Sequence, residues 1–91
     1  MNDQGIKQAV ERYRRKFTEL QVEPVRFPGC QSPRTPQERL AHCFAILPDI
    51  VASLDKGERE KAKELLCFVR GCLWSDCIFT MDELLEGNSN E

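Results

Sequence analysis

The chain has 91 residues, 41% hydrophobic and 31% charged, with a formal net charge of −2. A single small domain spanning residues 1–91 buries about two-thirds of its unfolded surface at this size, which supports a modest core and excludes a large enzyme with its own cofactor domain. No apolar run approaches the roughly 18 residues that span a bilayer, and residues 1–16 lack the apolar stretch of a secretory signal, so the expectation is a cytoplasmic protein without membrane attachment.

Ile6, Val10, Tyr13, Phe17 and Leu20 recur at helical spacing and predict an amphipathic helix over about 3–20. Glu11 and Arg15 add an i,i+4 pair. Arg12, Arg14, Arg15 and Lys16 form a basic cluster that flanks the apolar stripe on both sides, which reads as a solvated face or as a patch for nucleic acid. Residues 21–35 carry Pro24, Pro28, Gly29 and Pro33, whose missing amide hydrogens and fixed φ predict a long connector. Val22, Val25 and Phe27 are placed to pin it to the helices, with Arg26 and Arg34 as its exposed charges.

Thr35-Pro36-Gln37-Glu38 is a helix start, with Thr35 as N-cap, Pro36 at the first helical position and Glu38 closing a capping box. The second helix covers about 36–55, and its core stripe is Leu40, Cys43, Phe44, Leu47, Ile50, Val51 and Leu54. The stripe keeps its phase across Pro48, so one kinked helix is expected there and not two. Lys56-Gly57 ends it, and a third helix over about 58–75 follows at once, which forces an antiparallel hairpin. Ala62, Leu65, Leu66, Val69, Cys72 and Leu73 face the second helix. Thr80-Met81-Asp82-Glu83 starts a short helix over about 81–86, before a frayed acidic end at 87–91. The fold class is all-α.

The third helix has a second apolar stripe. Cys67, Gly71 and Trp74 lie opposite its core face, with Phe68 bridging the two, so the helix needs cover on both sides. Gly71 costs about 1 kcal/mol of helix propensity relative to alanine, a loss offset where another backbone approaches closely. The first helix could supply that cover, or a second copy of the chain; in the second case these three residues are the interface of a homodimer.

Five cysteines, Cys30, Cys43, Cys67, Cys72 and Cys77, are an odd set without a secretion signal and read as free thiols. The spacing of five between Cys67, Cys72 and Cys77 turns each step by roughly 140°, so they do not converge as metal ligands on one helix face. A zinc site would have to recruit His42 or Cys43. No metal or cofactor is expected. His42 is the only histidine, one turn after Glu38 on the face away from the core; nothing nearby in the sequence specifies a nucleophile, so it reads as an exposed or structurally hydrogen-bonded histidine. Phosphate-cradling glycine loops and the common hydrolase and metalloprotease motifs are absent, which argues against an enzyme.

The segments TPQERLAHC, DKGEREKAKELLCFVRGCLW and TMDELLEGN, between Thr35 and Asn88, resemble small uncharacterised helical proteins encoded in bacteriophage and prophage genomes. The resemblance covers a little over half of the chain. It implies packed helices, no catalysis, action in a host cytoplasm and no site residue to carry over; Pro48 and the cysteines at otherwise aliphatic positions depart from its pattern.

Three functions follow from these readings. The first is an adaptor or inhibitor that binds a host macromolecule, supported by charge asymmetry: residues 1–39 hold eight basic against five acidic side chains, net +3, and residues 40–91 five against ten, net −5. The second is an oligomeric binder of an anionic ligand such as a nucleotide, through Arg26, Arg34, Arg39, Arg70 and His42. The third is nucleic-acid binding through the basic first helix.

Overall fold

A computed structural model describes residues 2–29 and 32–85. Four helices follow one another, α1 (Asp3–Glu19), α2 (Pro36–Asp55), α3 (Arg59–Ser75) and α4 (Met81–Leu85), and no strand occurs among the described residues. The expected end of the last helix at Glu86, the frayed segment 87–91 and Cys30 lie outside them.

Asn2 opens α1 by accepting the Gly5 N–H on its side-chain oxygen at 2.7 Å. Thr35 opens α2 by accepting the Glu38 N–H at 3.1 Å, while the Glu38 carboxylate takes a long 3.5 Å bond from the Thr35 hydroxyl. That is half of the expected capping box. The complete reciprocal box occurs at α4, where Glu83 N–H donates to Thr80 Oγ1 at 3.2 Å and Thr80 N–H donates to Glu83 Oε1 at 2.9 Å.

Helices α1, α2 and α3 all end in the same way. The residue after the C-cap turns to positive φ, its N–H returns to the carbonyl three residues back, and the next N–H returns to the carbonyl five back. At α2 the left-handed residue is Gly57, with φ 78°, and the bonds run from Gly57 to Leu54 and from Glu58 to Ser53. At α1 and α3 it is Gln21 (φ 60°) and Cys77 (φ 61°), with the second bond made by Val22 to Phe17 and by Ile78 to Leu73. A side chain in this region costs about 1 kcal/mol. Val22 and Ile78 offset that cost by packing against the core immediately afterwards. The turn at Gln21 also explains why Leu20, expected on the core stripe of α1, is 43% exposed: it is the C-cap, and the chain leaves the helix there.

α2 and α3 pack as the antiparallel hairpin and α1 contacts both. The core holds Ile6, Val10, Tyr13 and Phe17 of α1 with Cys43, Leu47, Ile50 and Leu54 of α2 and Ala62, Leu66, Val69, Cys72 and Leu73 of α3. Each large apolar side chain buried in this way contributes about 1.5–3 kcal/mol. Phe17 stacks on Phe44 at 5.3 Å between centroids. Tyr13, fully buried, packs on Phe79 at 5.6 Å and accepts a 3.1 Å bond from Arg70 Nε, so its hydroxyl is satisfied inside the core. Leu84 seals the end of α3, and Arg12 holds α4 by donating to the Glu83 carbonyl at 2.7 Å while lying over the rings of Tyr13 and Phe79.

Candidate functional site

The proline-rich connector is a strap along α2. Its prolines forbid a helix, so its backbone must find partners elsewhere. Val25 N–H donates to the Ala41 carbonyl at 3.1 Å, and Phe27 N–H donates to Nδ1 of His42 at 3.2 Å. Arg26 lays its guanidinium on both carboxylate oxygens of Asp49, at 2.7 and 3.2 Å, and donates at 3.1 Å to the Ala45 carbonyl. Pro48 lies beside that last contact. It lacks the N–H that the Phe44 carbonyl would receive, yet α2 continues through to Asp55. The guanidinium fork holds the Asp49 carboxyl below its usual range.

The candidate arginines do not form one anion site. Arg26 belongs to Asp49, Arg70 to the Tyr13 hydroxyl, and Arg39 makes a bidentate bond to Asp76 at 3.1 and 2.6 Å. Arg34 is exposed on the approach to α2. His42 is half-buried, not on an open face: its ring meets Phe27 at 5.8 Å and Phe68 at 6.3 Å, both edge-on. Because Nδ1 accepts the Phe27 N–H, the neutral ring carries its proton on Nε2, and the histidine serves as an anchor for the strap.

The basic cluster of α1 is divided in the same manner. Arg12 reaches α4, Arg14 bonds Glu11 at 2.9 Å through Nε, Arg15 approaches Glu11 at 3.5 Å, and Lys16 approaches Glu19 at 3.9 Å. Hydrogen bonding from Arg14, supported by Arg15, pulls the Glu11 carboxyl down to about 2.

The second apolar stripe of α3 is left uncovered by α1. Trp74 is 55% and Phe68 46% exposed, Cys67 is exposed, and a methyl group placed on Gly71 would meet nothing within 4 Å. Two apolar grooves flank the strap. One, of about 530 Å³, lies between the strap and the first half of α2, floored by Val22, Val25, Phe27, Leu40 and Ile78 and rimmed by Glu23 and Glu38. The other, of about 550 Å³, lies between α1, the strap and α2 around Val10, Phe44, Leu47, Pro48 and Val51. The prolines mark the strap in the sequence, but no sequence signal shows that it would sit above α2 and leave a trough on each side.

Among the described residues, no three or more His, Cys, Asp or Glu side chains are placed to hold a metal ion, and no helix is long and apolar enough to cross a membrane. No family model, curated protein or solved structure matches the chain.

Proposed function

We propose that the protein works by binding a macromolecular partner, as a phage- or prophage-type accessory protein that modulates host machinery, and that it does so as a homodimer. The observation that carries this reading is the open α3 face, where a tryptophan and a phenylalanine stand more than two-fifths exposed on either side of a glycine with free space above it. Exposed aromatic side chains of this size are expensive in water and typical of contact surfaces. A second copy meeting that face about a two-fold axis covers Trp74 with its own counterpart, and Gly71 lets the helices approach. The strap and its two grooves then remain open to the partner. The resemblance to phage-encoded helical proteins supplies the host context.

Light scattering of wild type, Gly71→Leu and Trp74→Glu tests the dimer. Wild type at dimer mass, with both variants monomeric and still helical, supports it; a wild-type monomer at several hundred micromolar refutes it. For the partner, Val25→Asp alters the strap's outer surface without touching the core. A nuclease-treated bacterial host lysate should yield a protein held by wild type and released by Val25→Asp. Equal capture by both refutes the strap as the contact, and binding that vanishes with nuclease favours the nucleic-acid alternative.

A further inference from the structure

The ion pair between Arg39 and Asp76 fixes the register of the hairpin at its open end, opposite the Lys56-Gly57 turn. In two antiparallel helices, one turn forward along α2 from Arg39 and one turn back along α3 from Asp76 arrive at the same level. Those positions are Cys43 and Cys72. Both are buried, at 0% and 7% exposure, and both are free thiols. They face each other across the seam, under an arginine whose side chain is one-third exposed, so a charged, partly solvated lid lies over the pair where an apolar seal would otherwise be.

We propose that Cys43 and Cys72 form a dithiol redox site that hydrogen peroxide oxidises to an intramolecular disulfide. Cys72, the less buried of the two residues, attacks a peroxide oxygen as its thiolate; the S–O bond forms, the O–O bond breaks, and hydroxide leaves, taking up the proton that Cys72 gave up to become water. The Cys43 sulfur then attacks the Cys72 sulfenic acid, the S–S bond forms, the S–O bond breaks, and water departs with the remaining proton. Two thiols lose two electrons together, and one peroxide becomes two waters. The electrostatics agree with this division of roles. The hydrogen bond with Cys43 lowers the Cys72 thiol and Arg39 helps, against burial and Asp76, while the same bond and burial raise Cys43, which keeps its proton until the second step.

This inference is independent of the partner-binding proposal. The disulfide would fasten α2 to α3 at the end where only side-chain contacts join them, closing a long loop in the unfolded chain.

The test uses wild type and a variant with Cys30, Cys67 and Cys77 changed to serine. Folded protein is treated with hydrogen peroxide, alkylated, and analysed as intact chain and as unreduced peptides. Expected are an intact mass lower by two hydrogens in the triple variant, three alkyl groups and no more on wild type, a peptide joining the Cys43 and Cys72 segments, reversal by dithiothreitol, and a Tm higher by roughly 10 °C. In Cys43→Ser, the Cys72 sulfenic acid should persist and be trapped by dimedone. Cys43 and Cys72 both still alkylatable after peroxide, two thiols in the triple variant and five in wild type, or Cys72 driven to sulfinic acid with no Cys43 link, would overturn the proposal. Absence of the dimedone adduct would overturn the role given to Cys72. If the triple variant fails to fold, the peptide map of wild type decides alone.

Discussion

Removing either partner of the Arg39–Asp76 pair should destabilise the protein by very different amounts. Asp76 is 8% exposed and Arg39 is 34% exposed. Arg39→Met leaves a carboxylate buried without its cation, a change that costs about 3–5 kcal/mol in an interior site. Partial solvent contact on the arginine side places the loss at the lower end, about 3 kcal/mol. Asp76→Asn is milder for three reasons. The guanidinium can swing into water, the amide oxygen can keep one of its two bonds, and asparagine removes a negative charge from the C-terminal end of α3, where the helix dipole disfavours it by about 0.3–1 kcal/mol. The expected loss is about 1 kcal/mol. At about 4–8 °C per kcal/mol for a domain of this size, Arg39→Met should melt some 8–16 °C below Asp76→Asn. Urea unfolding followed by circular dichroism, with the same slope in both variants, measures the gap. Equal losses, or a larger loss for Asp76→Asn, would refute the view that unequal burial governs this ion pair.

Two further outcomes follow from the helix ends and from the strap. Gln21→Gly and Cys77→Gly should each add about 1 kcal/mol, raising Tm by about 4–8 °C, because glycine occupies positive φ without steric cost; a fall in Tm for both would mean that these turns are held by the side chains they now carry. Since Arg26 lowers the folded-state pKa of Asp49, that pair contributes stability above the unfolded value of about 3.9 and loses it as pH falls through the folded value, so the melting gap between wild type and Asp49→Asn should close in acid; a gap that stays constant from neutral to acidic pH would remove Arg26 as its cause.

Local chemistry settled the elements. Proline at the first position of α2, threonine caps before α2 and α4, glycine after α2 and the helical spacing of Ile6 through Phe17 each act within a few residues of themselves, so the helix boundaries and the hairpin could be read along the chain. The left-handed turns at Gln21 and Cys77 were not legible, because no local preference favours left-handed glutamine or cysteine; packing of Val22 and Ile78 after the turn decides them. The arginines show the same division. The sequence put Arg26, Arg34, Arg39, Arg70 and His42 forward as candidates for an anionic ligand, whereas Arg26, Arg39 and Arg70 are each bonded to a group 23, 37 or 57 residues away in sequence. His42 takes its anchoring role in the same way, from a strap residue 15 positions away, whereas the basic cluster of α1, Arg12 apart, is paired with Glu11 and Glu19 of its own helix. An ion pair between distant residues depends on helix register and strap path, which are global properties of the packed chain. The open face of α3 lies between these cases: its apolar stripe was visible in Cys67, Gly71 and Trp74, but only the packing of α1 against α2 and α3 determined that the stripe stays uncovered.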